Sequence, residues 1–223
     1  MKRIGRFAFV ALLGAMALFL GAARCIENDA VGVDEGGYTH VRGEMVNETD
    51  VSADSVTLQA TLFDVAGNVL AQATGNPCPT QVQPKSTNAF DIKFTEPVAG
   101  VVARHEVRPI AGVTVPDTLP PHKIFPIKWE AARSGPLMLT LGLVRNDSGI
   151  TYSNMRMCAA FYNNQGKVVF VEDEPILGEL TPGKALEYRG VSIGVPAEAV
   201  QFRMWLSTGG VSQFVSSNKI TIQ

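Results

Sequence analysis

The chain has 223 residues, with 19 Lys+Arg against 21 Asp+Glu, for a formal charge of −2 at neutral pH. That balance argues against nucleic-acid binding, which needs clustered cations to neutralise phosphates. Hydrophobic residues make up 46% of the chain, and the length suffices for one large core or two small ones.

The first segment reads as an export signal. Lys2, Arg3 and Arg6 form a positive start, Phe7 to Leu20 is an uninterrupted apolar run, and Gly21-Ala22-Ala23 follows. A charged start, a short apolar stretch and small residues before the cut are the marks of a secretory signal peptide. Cleavage after Ala23 is expected. Two alternatives stand beside it. The run could be retained as an N-terminal anchor, being at the short limit for a membrane span. Or Cys25 could carry a lipid, although Arg24 stands where a lipoprotein signal has a small residue. Removing residues 1–23 takes away three cations, so 16 face 21 anions and the charge becomes −5. No other apolar run approaches membrane length.

The remainder contains a repeat. Asn47 aligns with Asn146 at an offset of 99 (146 − 47). The same offset places Leu62-Phe63-Asp64 over Phe161-Tyr162-Asn163, and Gly67 over Gly166. After one single-residue gap, Val82-Gln83-Pro84-Lys85 lies over Leu180-Thr181-Pro182-Gly183, Phe90 over Tyr188, and Gly112 over Gly210. Repeats of this length are whole domains.

Both copies read as strands. Val56, Leu58, Ala60 and Leu62 alternate with polar residues, as do Met155, Met157, Ala159 and Phe161 in the second copy. Asp64 to Asn68 and Asn163 to Gly166 supply hairpin turns, because Asn, Asp and Gly tolerate left-handed backbone. Gln83-Pro84-Lys85 and Thr181-Pro182-Gly183 are further turns, and no helix period follows the signal. The pattern predicts an all-β protein of two tandem antiparallel β-sandwiches. Prolines 116, 120, 121, 126 and 136 mark a semi-rigid linker between Val113 and Pro136. Within it, Lys123 to Trp129 is apolar enough to open the second sandwich. The domains expected are 1–23 (signal), 24–117 and 118–223.

Asn47-x-Thr49 before an alternating strand, then Ala60-Thr-Leu62-Phe63-Asp64-x-x-Gly67, the Pro84 turn and Phe90, resemble the FxLYD domain. Ala159-Ala-Phe161-Tyr162-Asn163-x-x-Gly166 is similar. Both copies depart from the Phe-x-Leu-Tyr-Asp motif: its first Phe is Ala60 or Ala159, its Leu is Phe161 in the second copy, and its Tyr and Asp become Phe63 and Asn163 once each. The resemblance implies an immunoglobulin-like sandwich in exported or anchored bacterial and archaeal proteins, with no established activity.

Catalytic constellations are missing from the sequence. His40, His105 and His122 have no partner at metal-ligand spacing, and no Gly-x-Ser-x-Gly elbow or glycine-rich phosphate loop occurs. Glu172-Asp173-Glu174 precedes Pro175 and reads as a solvated loop, since calcium ligands usually alternate with other residues. No metal or cofactor is expected. Asn47-Glu-Thr49 and Asn146-Asp-Ser148 fit the N-glycosylation pattern, but their equivalence in the repeat suggests a shared turn.

Export permits disulfides. The three cysteines leave two readings open: all free, or a bridge from Cys78 to Cys158 or Cys25. Trp205 is expected in a core. What remains for contact is sheet edge plus the loops at Asp64–Asn68, Asn163–Gly166 and around Glu172 and Asp173. The expected function is a non-catalytic binding or structural module of the cell envelope, periplasmic or extracellular. Its partner would be a protein or envelope component, with membrane contact only through a retained anchor. A two-domain periplasmic assembly chaperone and a carbohydrate-binding module are the alternatives.

Overall fold

A computed structural model describes residues 26–115, 124–208, 211–215 and 218–223. Among them every regular element is a strand, so no described helix is long and apolar enough to cross a membrane. The export segment, Cys25, His122 and the expected boundary at 117/118 lie outside the described residues.

The first repeat contributes β1 (Ile26–Val33), β2 (Thr39–Asn47), β3 (Ser52–Phe63), β4 (Val69–Gly75), β5 (Pro77–Cys78), β6 (Ser86–Lys93) and β7 (Arg104–Val115). The second contributes β8 (Ile124–Ser134), β9 (Leu137–Asn146), β10 (Met155–Tyr162), β11 (Val168–Ile176), β12 (Ala185–Ile193), β13 (Gln201–Thr208), β14 (Val211–Val215) and β15 (Ile220–Thr221). Four antiparallel sheets result. Sheet I runs β1-β2-β6-β5 and sheet II β4-β3-β7; sheet III runs β11-β10-β13-β14, with β15 also on β13, and sheet IV β12-β9-β8. The order β1-β2-β6 recurs as β8-β9-β12, and β4-β3-β7 as β11-β10-β13. The repeat is therefore a repeat of topology as well as of sequence.

The alternation seen in the sequence sets the cores. Val56, Leu58, Ala60 and Leu62 of β3 pack on Val41, Met45, Phe90 and Ile92 between sheets I and II. Met155, Met157, Ala159 and Phe161 of β10 pack on Met138, Val144, Phe202 and Met204 between sheets III and IV. Both hairpins form as expected. Gly67 N donates to Asp64 O at 3.1 Å and Gly166 N to Asn163 O at 3.0 Å. Those glycines take φ of 83° and 77°, the left-handed step that lets a bulge follow the turn.

The two asparagines play one role twice. Asn47 Nδ2 donates to Val51 O and Val82 O, and Asn146 Nδ2 to Ile150 O and Leu180 O. Each Oδ1 accepts the backbone N–H two residues on, from Thr49 or Ser148. Both asparagines are buried, so in the folded chain they pin turns and are not accessible to a glycan. Gly43 and Gly142 are equivalent too. A Cβ at Gly142 would lie 1.9 Å from Trp129, and one at Gly43 2.7 Å from Phe90. Each glycine gives up its side chain to an aromatic ring from a neighbouring strand.

One expectation is extended and one is corrected. Within the proline-rich stretch, 116–123 lie outside the described residues, β7 continues to Val115, and the strand expected from Lys123 to Trp129 is β8, which runs on to Ser134. Pro126 fits because β8 is an edge strand and its register shifts there. Glu172, Asp173 and Glu174 are not a loop. They pair with Ala159, Cys158 and Met157 on β11, and β11 is a sheet edge, where Pro175 needs no ladder donor.

Candidate functional site at the seam between the sandwiches

The outer faces of sheets I and III pack together, giving a four-layer stack in the order II, I, III, IV. Strand parity explains the seam. With Val41 and Met45 inward, β2 turns His40, Arg42 and Glu44 outward; with Met157 and Phe161 inward, β10 turns Cys158, Ala160 and Tyr162 outward. These six would meet solvent in an isolated sandwich, and all are buried. Cys158, Ala160, Tyr162, Val168 and Trp205 form an apolar cluster with Ala89 of the first sandwich, and Cys78 packs on it.

Hydrogen bonds cross the seam at its polar positions. Glu44 Oε1 accepts from Tyr162 Oη at 2.7 Å and from Arg203 Nη1 at 3.0 Å. Asn28 Nδ2 holds the other carboxyl oxygen from the first sandwich's own edge. Burial, followed by the Glu44 charge, pushes the Tyr162 hydroxyl far above its ordinary value. The phenol therefore stays a donor. Trp205 Nε1 donates to Thr87 O at 2.6 Å, and Arg42 Nη1 to Val169 O at 3.1 Å. Trp205 is fully buried, as a core residue should be, but its layer lies between the sandwiches.

A cleft of about 740 Å³ opens at one end of the seam. Asp34, His40, Arg42 and Asp91 line it from the first sandwich, and Arg133, Phe170, Ile193 and Val195 from the second. The histidine has two carboxylate partners, one distant in sequence and one across the β1–β2 turn: Nδ1 is 2.7 Å from Asp91 and Nε2 is 3.1 Å from Asp34. Arg42 Nε donates to Asp91 at 2.9 Å, and its guanidinium lies 5.8 Å from the Phe170 ring centre. The Tyr38 backbone N–H, above other causes, holds the Asp34 carboxyl down at about 2. Arg133 donates to Val195 O and Pro196 O. Asp34, His40, Arg42, Asp91 and Arg133 are thus tied to one another and to backbone, and the Glu35 carboxylate lines the cleft beside them. No serine or cysteine is among the residues lining it.

The other sequence candidates are scattered. Asp64 and Asn68 bond each other at the tip of the β3–β4 hairpin, Nδ2 to Oδ2 at 2.9 Å. Asn163 and Gly166 form the β10–β11 tip, where Lys219 Nζ donates to Gly166 O and sits 3.7 Å above the Tyr162 ring. Asp173 is ion-paired to Arg156 at 2.8 Å. Glu172 and Glu174 point inward and meet Ser192 and Tyr188 of β12. Burial raises the Glu172 carboxyl to about 7, while the Ser192 hydroxyl opposes the rise. His105 Nε2 faces Asp29 at 2.9 Å. Among the described residues no three His, Cys, Asp or Glu side chains could hold a metal ion.

Cys78 and Cys158 are brought together. Cys78 sits on β5 opposite Ala89 and Cys158 on β10 opposite Trp205, and the two pack in one cluster across the seam as free cysteines. Burial pushes the Cys158 thiol well up, whereas Cys78 is only half-buried beside a crevice lined by Arg156, Asp173 and Ser207.

Nothing in the sequence marked the cleft, because His40 and Asp91 meet only through the pairing of β2 with β6. One signal for the seam was present. The run Met155 to Tyr162 carries apolar residues at both parities, which a strand with one wet face does not need.

No protein-family model matches the chain, and no curated protein matches it. Among solved structures it is similar to a DUF3823 family protein from Parabacteroides merdae, at 11% identity and a TM-score of 0.34, over 76% of this chain and 87% of that one. It is also similar to Bacteroides uniformis β-glucuronidase 2, at 13% identity and 0.32, over 83% and 26%. Red sea bream transglutaminase aligns at 8% identity and 0.31, over 90% and 32%. The chain spans about a quarter to a third of the first three structures it matches (28%, 32% and 26%).

Proposed function

We propose that the chain is a non-catalytic, extracytoplasmic binding module of the cell envelope. In it two FxLYD-like sandwiches act as one rigid body and offer a partner their cleft, sheet edges and hairpin tips. The observation that supports this most is the use made of the polar groups. His40, Asp34, Asp91, Arg42 and Arg133 of the cleft are hydrogen-bonded in structural ties, and such ties position a surface without supplying a nucleophile. A chaperone would want free cations in the cleft, but Arg42 and Arg133 are engaged. A carbohydrate platform would want exposed tryptophan, and Trp205 is buried.

Export also makes a Cys78–Cys158 bridge the expected state. The Cys78 thiolate attacks the disulfide of a thiol–disulfide oxidant, and one of the oxidant's sulfurs leaves as a thiol. Cys158 then loses its proton, attacks Cys78 of the mixed disulfide and releases the second oxidant thiol. Two electrons pass to the oxidant, and the protein loses two hydrogens.

The test is site-specific photo-crosslinking in envelope extracts from Val33 in the cleft and Val65 at a hairpin tip. A partner captured from either site, and lost on charge reversal of a neighbouring residue without a fall in melting temperature, supports the reading. Turnover in a hydrolase screen, abolished by His40→Ala in a protein that still folds, would overturn it.

A further inference from the structure

Sheets I and IV occupy the same place in the two repeats, yet among the described residues only sheet I has its outer face covered. The offset of 99 turns the buried His40, Arg42 and Glu44 of β2 into Leu139, Leu141 and Leu143 of β9. With Met138 and Val144 in the core, these leucines and Leu137 point away from it. Around them Phe125 is 47% exposed, Leu139 40%, Val191 51% and Ile193 68%. A shallow groove of about 420 Å³ runs along this face between Glu130 and Arg189.

The charges on this face are arranged in rungs, and within one copy Lys128 pairs with Glu130 at 2.8 Å and Arg189 with Glu187, each pair joining neighbouring rungs on one strand. At the level of Leu141, strand pairing places Glu130 on one flank and Arg189 on the other. At the next rung, Leu143 lies between Lys128 and Glu187. The two rungs beyond Leu141 carry small or apolar residues: Ala132–Leu139–Val191, then Ser134–Leu137–Ile193. A two-fold axis along β9 keeps each rung at its height and exchanges its flanks. Arg189 of one copy then stands over Glu130 of the other, Glu187 stands over Lys128, and the leucines meet in the middle. Self-complementarity about a two-fold is what an isologous interface requires.

We infer that the outer face of sheet IV is a homodimer interface, its occupant a second copy of this chain packed sheet to sheet with β9 facing β9. The face covers ten residues of β9 across three strands, roughly 500 Å² per copy at about 3.4 Å per residue and 4.8 Å between strands. The roughly 1,000 Å² buried by two copies sits at the lower bound for a specific interface, so the dimer is weak and exchanges. The inference does not depend on what the cleft binds.

The test is sedimentation equilibrium of the processed protein with Arg189→Glu, Glu130→Arg and their equimolar mixture. Wild type is expected to self-associate with a dissociation constant in the micromolar range. Each variant places like charges opposite each other at both copies of the rung, so each should associate at least about tenfold more weakly. Mixing them restores opposite charges at both contacts and should recover wild-type association. Both sites are on the surface, and unchanged melting of each variant shows that the fold is intact. A wild type that stays monomeric at millimolar concentration overturns the inference, as does a mixture no tighter than its components. Wild type that remains monomeric but floats with phospholipid vesicles would assign the face to lipid and overturn it as well.

Discussion

The outer faces of sheets I and IV are the same surface made twice, and they have opposite fates. One is buried although it carries His40, Arg42 and Glu44; the other is open although it carries four leucines. Burial in this molecule therefore does not follow residue hydrophobicity strand by strand. A charged face can be covered when every charge finds a partner: Glu44 finds Tyr162 and Arg203 on the facing sheet, Arg42 finds Val169 O there and Asp91 on its own sheet, and His40 finds Asp91 and Asp34 of its own sandwich. Ion pairs buried in this way add little net stability over apolar packing, but losing one partner is costly. They fix which faces meet and in what register.

Exchanging equivalent residues breaks the comparison most sharply. Glu44→Leu leaves the Arg203 guanidinium and the Tyr162 hydroxyl without their acceptor in the seam, and should cost about 3–5 kcal/mol in urea unfolding. The reciprocal Leu143→Glu places a carboxylate on an open face and should cost under about 1 kcal/mol. Equal costs would mean that the seam opens readily and Glu44 is solvated.

The inward parity of the two repeats gives the next effect. Leu62 and Phe161 are equivalent and have no exposed surface, so truncating either to Ala should cost about 2–5 kcal/mol. Gln59, on the opposite face and bonded to Arg108 at 3.0 Å, should lose under about 0.5 kcal/mol on change to Ala. The cysteine pair joins the two repeats directly. Oxidation by glutathione disulfide should remove two hydrogens from the intact mass, block both thiols to alkylation and stabilise the fold by about 2–4 kcal/mol. The Cys78→Ser variant should show none of these changes.

A further effect is a pH slope within the second sandwich. Burial raises Glu172 from its ordinary 4.5 to about 7. Between those values the folded chain holds a proton that the unfolded chain has released, so this group's contribution to stability falls as pH rises through the window. Glu172→Gln should flatten the wild-type slope between about pH 4.5 and 7. An unchanged slope would place the titration elsewhere.

The fold was legible in the sequence because strand parity and turn chemistry are local. Val56 to Leu62, Met155 to Phe161 and the Gly67 and Gly166 turns carry their own instructions, and the repeat shows each of them twice. The seam and cleft were not legible, because they depend on which outer faces meet. His40, Asp34 and Asp91 have no unusual spacing, and Glu172 looks like a loop residue until β11 is seen to pair with β10. Of the prolines in the expected connector, Pro116, Pro120 and Pro121 lie outside the described residues, and Pro126 falls in the strand expected there, where an edge position needs no backbone donor.

The charged seam makes one body of the two sandwiches. That unity is tested most directly by urea unfolding of the processed protein, followed together by tryptophan fluorescence and far-ultraviolet circular dichroism, with and without Glu44→Leu. The account predicts a single coincident transition for both probes, displaced as a whole to lower urea by the substitution. Two separate transitions in the wild type, or a shift confined to one of them, would contradict it.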